Sequence, residues 1–244
     1  MRRRIVIIVF LIACIGLTVW ITEMPAERFI TQKYDWDKVL NCAMGHIKLV
    51  LISEAIAIAI AVPLGILITR EGFTMLSTPV IGLGNIGQAM PSLALLGIIF
   101  VIFLTAGTKT VIVALFIYGL LPILRNTYTS IKNVDPAVIE AARGMGMSKG
   151  RIARNVELPI ALPVIMTGIR VSTIIIVGTA ELAPLVGGSS LGDITIAGAI
   201  TREPLIVLQG AAPTAALAIV LGFMLESVEN QLTPRGLKVR TGAE

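Results

Sequence analysis

The chain has 244 residues, of which 55% are hydrophobic and 14% charged, with a mean hydropathy of +0.89. A soluble domain of this size carries about 25% charged residues, so the composition excludes an ordinary soluble enzyme and points to an integral membrane protein. The net charge of +5 does not mark a nucleic-acid binder, because the bases sit beside apolar runs: at Arg2, Arg3 and Arg4, over residues 125–157, and after residue 230.

A helix needs about 20 mostly apolar residues to cross the hydrocarbon core. Six segments qualify: 5–22, 46–69, 89–105, 109–128, 160–182 and 205–227. Strands span a bilayer only as closed barrels of alternating segments. Runs such as Ile56-Ala57-Ile58-Ala59-Ile60-Ala61-Val62 are apolar on both faces. The expected fold is therefore all-α: a polytopic membrane helical bundle of about six transmembrane helices. Three regions follow: 1–45 (anchor span and outer loop), 46–228 (transmembrane domain) and 229–244 (tail).

The first span follows a basic start, but its apolar run of about 17 residues is long for a secretory signal. TEMPAERF after it offers no small-x-small cleavage site, so the span reads as an uncleaved anchor. The loop 23–45 is slightly acidic and carries Phe29, Tyr34 and Trp36, either as a membrane-surface belt or as a small capping loop. Cys14 and Cys42 are placed too differently to read as a pair. Residues 75–91, rich in Gly, Pro and Asn, read as a broken or interfacial helix leading into span three. Irregular backbone at membrane depth survives only where protein or a cavity covers it.

Residues 125–157 hold six bases (Arg125, Lys132, Arg143, Lys149, Arg151, Arg154) against three acids. The positive-inside rule places this region and both termini in the cytoplasm. Within it, Asp135 can cap a helix whose first residue is Pro136. That helix, 137–143, meets Gly144 and Gly146. Ser148 can cap a second short helix over 149–157 that stops near Pro159. Met145, Met147, Ile152 and Val156 supply apolar contacts. Residues 186–193 read as a turn, outside or partly re-entrant.

The chain advertises no catalysis. Gly107-Thr108-Lys109-Thr110 lacks the spacing of a phosphate-binding loop. The one histidine, His46, has no partner in sequence for a metal site and reads as interfacial. No cofactor or metal is expected in this chain. Four charges fall inside or near spans: Lys48, Glu54, Arg170 and Glu181. Each costs at least about 2.5–3.5 kcal/mol at the bilayer centre. Glu54 or Glu181 could line a cavity and meet a cationic solute. Alternatively they form a structural pair, for instance with Arg170, or snorkel to an interface.

At residues 140–159 the sequence is EAARGMGMSKGRIARNVELP. Glu140-Ala141-Ala142, Gly146 and Val156-Glu157-Leu158-Pro159 resemble the EAA-x3-G-x9-I-x-LP signature of membrane subunits of ABC importers, with Val156 in place of Ile. The resemblance implies a type I ABC importer permease. The segment is then its cytoplasmic coupling helix, and Glu140, Ala141, Ala142, Arg143, Gly146, Arg151, Leu158 and Pro159 face a separate ATPase subunit. That partner, not this chain, would bind ATP. Further partners are implied: the lipid bilayer, a second permease subunit (itself or a paralogue) and an extracytoplasmic solute-binding protein.

Gln88-Ala89-Met90-Pro91-Ser92-Leu93, Leu121-Pro122-Ile123-Leu124-Arg125-Asn126-Thr127-Tyr128 and Gly168-Ile169-Arg170 resemble the osmoprotectant branch. That branch serves glycine betaine, carnitine and choline. Gln88, Pro91, Glu54, Arg170 and Glu181 are the candidate pathway residues. Three places depart from the branch and bear on the solute: TAGTKT at 105–110, GGSSLG at 187–192, and Glu181 where a small or neutral residue is usual. Quaternary ammonium groups favour aromatic cages, yet only 5% of the chain is aromatic. High-affinity capture therefore falls to the external binding protein. The other readings are an ABC permease for methionine, phosphonate or another small solute, a passive osmotic channel, and a membrane-embedded enzyme.

Overall fold

The structure is a computed structural model, which describes residues 2–25 and 34–233. Every regular element among them is helical: α1 (Arg2–Glu23), α2 (Trp36–Leu67), α3 (Ser77–Ala89), α4 (Ser92–Phe103), α5 (Thr108–Lys132), α6 (Pro136–Gly144), α7 (Lys149–Ile152), α8 (Leu158–Ala180), α9 (Gly192–Thr201) and α10 (Pro204–Leu232). The expected all-helical bundle is present. Phe29 and the tail beyond residue 233 lie outside the described residues.

Four of these helical stretches are long and apolar enough to span: α2, α5, the continuous run Lys149–Ala180, and α10. The third expected span, 89–105, is not a continuous helix. It is a pair, α3 and α4, bent by 107° at Pro91. Proline disfavours helical backbone in the residue before it, and Met90 is extended at ψ 136°. α4 has only 12 residues, about 18 Å, and cannot cross alone. The Tyr118 hydroxyl donates to the Met90 carbonyl, so the break is tied to α5. α1, also largely apolar, runs for 22 residues.

α2 begins ten residues before the expected start of span two, because Asp35 accepts a hydrogen bond from the Lys38 amide at 3.1 Å and caps it. α9 was not anticipated. It follows the expected turn at Gly187 (φ +81°) and ends at Arg202 in left-handed backbone (φ 58°), before Pro204 starts α10.

The core sits where α5 lies between α2 and α8. Leu49, Leu96, Leu115, Ile176 and Ala180 pack at one level, and Ala57, Ala61, Ile123, Leu124 and Ile165 at another. α1 lies against α10. Gln209 on α10 donates to the Thr22 hydroxyl at 3.1 Å and to the Tyr34 carbonyl at 2.6 Å, joining α10, α1 and the approach to α2. Trp36 Nε1 donates to Glu23 at 2.8 Å across the same loop.

Candidate functional site: the signature segment and the membrane charges

The signature segment is built as the sequence suggests at its start. Asp135 accepts from the Ala137 amide at 2.9 Å and Pro136 occupies the first turn of α6. At the other end the Met147 amide returns to the Ala142 carbonyl at 3.2 Å. The chain reverses there through Gly146 at φ +78°, a conformation costly for any side chain. Ser148 stands at the cap position of α7, but its hydroxyl makes no capping bond.

The expected stop near Pro159 does not occur. α7 passes through a π-turn, Ala153–Glu157, into α8 as one run from Lys149 to Ala180. Proline has no N–H to give and its ring crowds the carbonyl one turn back. The widened turn, with the Leu158 amide reaching the Ala153 carbonyl, relieves that conflict just ahead of Pro159.

Within the segment the two signature alanines diverge. Ala142 is buried, packed inward, while Ala141 is exposed. Glu140, Arg143 and Arg151 are exposed, Ile152 is buried, and Leu158 and Pro159 are half-buried where the helix enters the bundle. Met145, expected among the apolar contacts, is 71% exposed. With Val138 and Ala141 it stands at spacings of three and four, a single uncovered face of α6.

Two ion pairs brace this segment. Arg70, just beyond α2, meets buried Glu157 in the π-turn at 2.6 Å. Its other terminal nitrogen is buried without a hydrogen-bond partner, so the contact is single rather than bidentate. Lys149 meets Glu71 at 2.5 Å on the surface. The hydrogen bond from Lys149, then its charge, holds the Glu71 carboxyl below its ordinary range. Cavities of about 310 and 370 Å³ open on either side, both lined by Thr69, Arg70, Arg143 and Glu157. Sequence reasoning missed Arg70 and gave Glu157 no role. Glu157 stood inside the signature, and that was the available signal.

The membrane charges separate. Glu54 is buried and accepts from Ser172 at 2.7 Å and Thr173 at 3.1 Å, joining α2 to α8. Glu181, at the end of α8, accepts from the Thr214 hydroxyl of α10. It borders a mostly apolar cavity of about 410 Å³ with Gly178, Ala211 and Ala218. Neither pairs with Arg170, which instead meets Glu229 at 3.3 Å and Glu226 at 3.7 Å on α10. Lys48 is exposed. His46 is fully buried within the bundle, with Nε2 3.0 Å from the Val177 carbonyl. Gln88 donates to the Tyr118 carbonyl at 3.3 Å, and Pro91 is exposed at the α3–α4 break.

A bundle of long apolar helices, a broken helix pair and one capped signature segment at its polar end match the membrane subunit of a type I ABC importer. The solved inward-facing MetNI methionine ABC transporter shares this fold, with a TM-score of 0.71 at 24% identity over 82% of this chain and 98% of that one. The chain belongs to the binding-protein-dependent transport system inner membrane components, whose family model matches residues 61–235. It is 44% identical over 195 residues to the choline transport system permease protein OpuBB of Bacillus subtilis strain 168, covering 79% of this chain and 88% of that protein. Identity and coverage are the same for the glycine betaine/carnitine/choline transport system permease protein OpuCB of that strain.

Proposed function

We propose that this permease carries quaternary-ammonium osmoprotectants of the glycine betaine, carnitine and choline kind. It would receive them from an extracytoplasmic binding protein. One observation carries the cargo: 44% identity over about four-fifths of the chain to permeases named for these solutes. The methionine transporter shares only 24%, which supports fold alone.

The uncovered face of α6 (Val138, Ala141, Met145), flanked by Glu140, Arg143 and Arg151, is the docking surface for a separate ATPase in this reading. Apolar contact at the centre with charges at the rim is how protein interfaces are commonly built. ATP hydrolysis on that partner would move α6, and alternating access would follow by rocking of the bundle. Two permeases, identical or paralogous, would face two ATPases, with α6 and both termini on the cytoplasmic side. Among the pathway candidates, Glu54 and Arg170 are held by neighbours and serve the bundle. Gln88, Pro91 and Glu181 border the broken helix or a cavity and remain pathway residues. A passive osmotic channel would leave the signature segment without a purpose.

Uptake competition tests the cargo. In a strain dependent on this system, glycine betaine, carnitine or choline should displace labelled solute and methionine should not. Competition by methionine alone would overturn the assignment. Glu140→Lys should abolish co-purification of the ATPase and ATP-driven uptake, and unchanged association would remove the docking reading.

A further inference from the structure

α3, the first half of the broken pair, lies close on α5. A Cβ added at Gly84 would stand 2.7 Å from the Leu121 side chain, which would have to shift to admit it. Asn85 and Gln88, three residues apart and so on one side of α3, face a cavity that Arg125 of α5 also lines. Together with Pro122 and with Val171 and Ile175 of α8, they line a cavity of about 410 Å³. That size falls within the range of small-molecule sites. Discontinuous helices are where transporters commonly build solute sites.

Arg125 is the unusual member. It lies seven residues before the end of α5, about 10 Å inside the helix terminus. Arg70 and Arg170 each meet carboxylates, but among the described residues no acid lies within 4.0 Å of the Arg125 guanidinium. Its side chain is exposed and lines the cavity, so its charge is open to a solute. Its planar fork of donors suits a carboxylate. One N–H of the Gln88 amide is used on the Tyr118 carbonyl; the amide has a second. The remaining lining is apolar, which suits N-methyl groups that offer no hydrogen-bond donor.

We propose that the Asn85–Gln88–Arg125 cavity is a passage site that selects solutes carrying a carboxylate as well as a quaternary ammonium. Arg125 pairs with the carboxylate, and Asn85 and Gln88 donate to it. Zwitterions such as glycine betaine and carnitine engage all three residues, and choline, without a carboxylate, does not. This rests on the osmoprotectant reading above and sharpens it.

The test uses the full transporter with its ATPase and binding protein in phosphatidylethanolamine vesicles, with or without phosphatidylglycerol. Uptake of labelled glycine betaine and choline is normalised to assembled complex. Arg125→Gln should lower glycine betaine uptake at least tenfold relative to choline, Arg125→Lys should restore part of it, and Gln88→Ala should lower it several-fold. If the wild type carries zwitterions alone, loss in Arg125→Gln with recovery in Arg125→Lys supports the proposal, and unimpaired uptake overturns it. Parallel loss of both solutes, no loss of either, or wild-type uptake of choline alone overturns this site while leaving the osmoprotectant reading intact. A parallel loss that varies with phosphatidylglycerol assigns Arg125 to a lipid phosphate instead. Wild-type uptake of neither solute overturns the osmoprotectant reading and this site with it.

Discussion

Removing Arg70 should cost more than removing its partner. Arg70→Gln leaves Glu157, whose side chain is 10% exposed, as a buried and uncompensated carboxylate. Glu157→Gln leaves Arg70, whose side chain is 32% exposed and can turn toward the adjoining cavities. Breaking a buried pair typically costs 3–5 kcal/mol. The single contact and the exposure of Arg70 place Arg70→Gln near the lower limit, about 3 kcal/mol, and Glu157→Gln nearer 1 kcal/mol. For a chain of this size, 1 kcal/mol shifts the melting midpoint by about 2–4 °C. The expected losses are then about 6–12 °C and about 2–4 °C. The double variant should recover much of the larger loss, because no charge remains unpaired. The assay is thermal melting of the purified complex in detergent, arranged as a double-mutant cycle. Equal single effects that simply add in the double variant would refute the claim that these two charges compensate one another.

Three further expectations come from local geometry. A Cβ at Gly146 meets nothing within 4 Å but must sit at φ +78°, so Gly146→Ala should cost about 1–2 kcal/mol of strain and leave a melting shift of a few degrees. A loss beyond 10 °C would mean that contact, not backbone, demands glycine there. Gly192 faces the Glu181 carbonyl oxygen at 1.8 Å from an ideal Cβ, so Gly192→Ala should displace α9 and sharply lower the yield of folded protein; wild-type yield and melting would contradict that packing. The Lys149–Glu71 tie is exposed and should fade in high salt. Because Lys149 lowers the Glu71 pKa, any stability from it is present above the ordinary carboxylate range. That stability is lost as pH falls through the depressed value. Subtracting the melting curve of Lys149→Gln from that of wild type across acid pH checks the sign, and a contribution that grows on acidification would be the wrong one.

What the sequence made legible followed from local rules. Apolar length marked the long spans, Asp135-Pro136 marked the start of α6, and the glycines marked its reversal at Gly146. What stayed hidden depended on distant or opposed terms. The Arg70–Glu157 contact joins segments that neither periodicity nor spacing connects. The start of α2 was obscured because Asp37 and Lys38 look like loop residues, although the Asp35 cap carries the helix through them. Pro159 argued for a helix end, and a π-turn accommodated it. Pro91 argued for irregularity, which is present, but a 107° change of direction cannot be read from one proline. Arg170 looked like a partner for Glu54 or Glu181 until α10 supplied Glu226 and Glu229.

The braces of the signature segment bear directly on how a push on α6 would reach the membrane. α6 is joined through the Gly146 reversal to a helix that runs from Lys149 to Ala180. Displacement of α6 would therefore pass to α8 along hydrogen-bonded backbone rather than through a slack loop. The π-turn at 153–157 changes the register of the ladder in that run, which makes it a natural point of bending. Arg70 grips Glu157 in that same turn, so any bend there also pulls on the end of α2. α2 and α8 enclose α5 and are tied again at depth by Glu54, Ser172 and Thr173. With ties at both levels, α2 and α8 should shift together around α5 instead of sliding past each other. The cavity at Arg125, bounded by α3, α5 and α8, then changes shape whenever that pair moves.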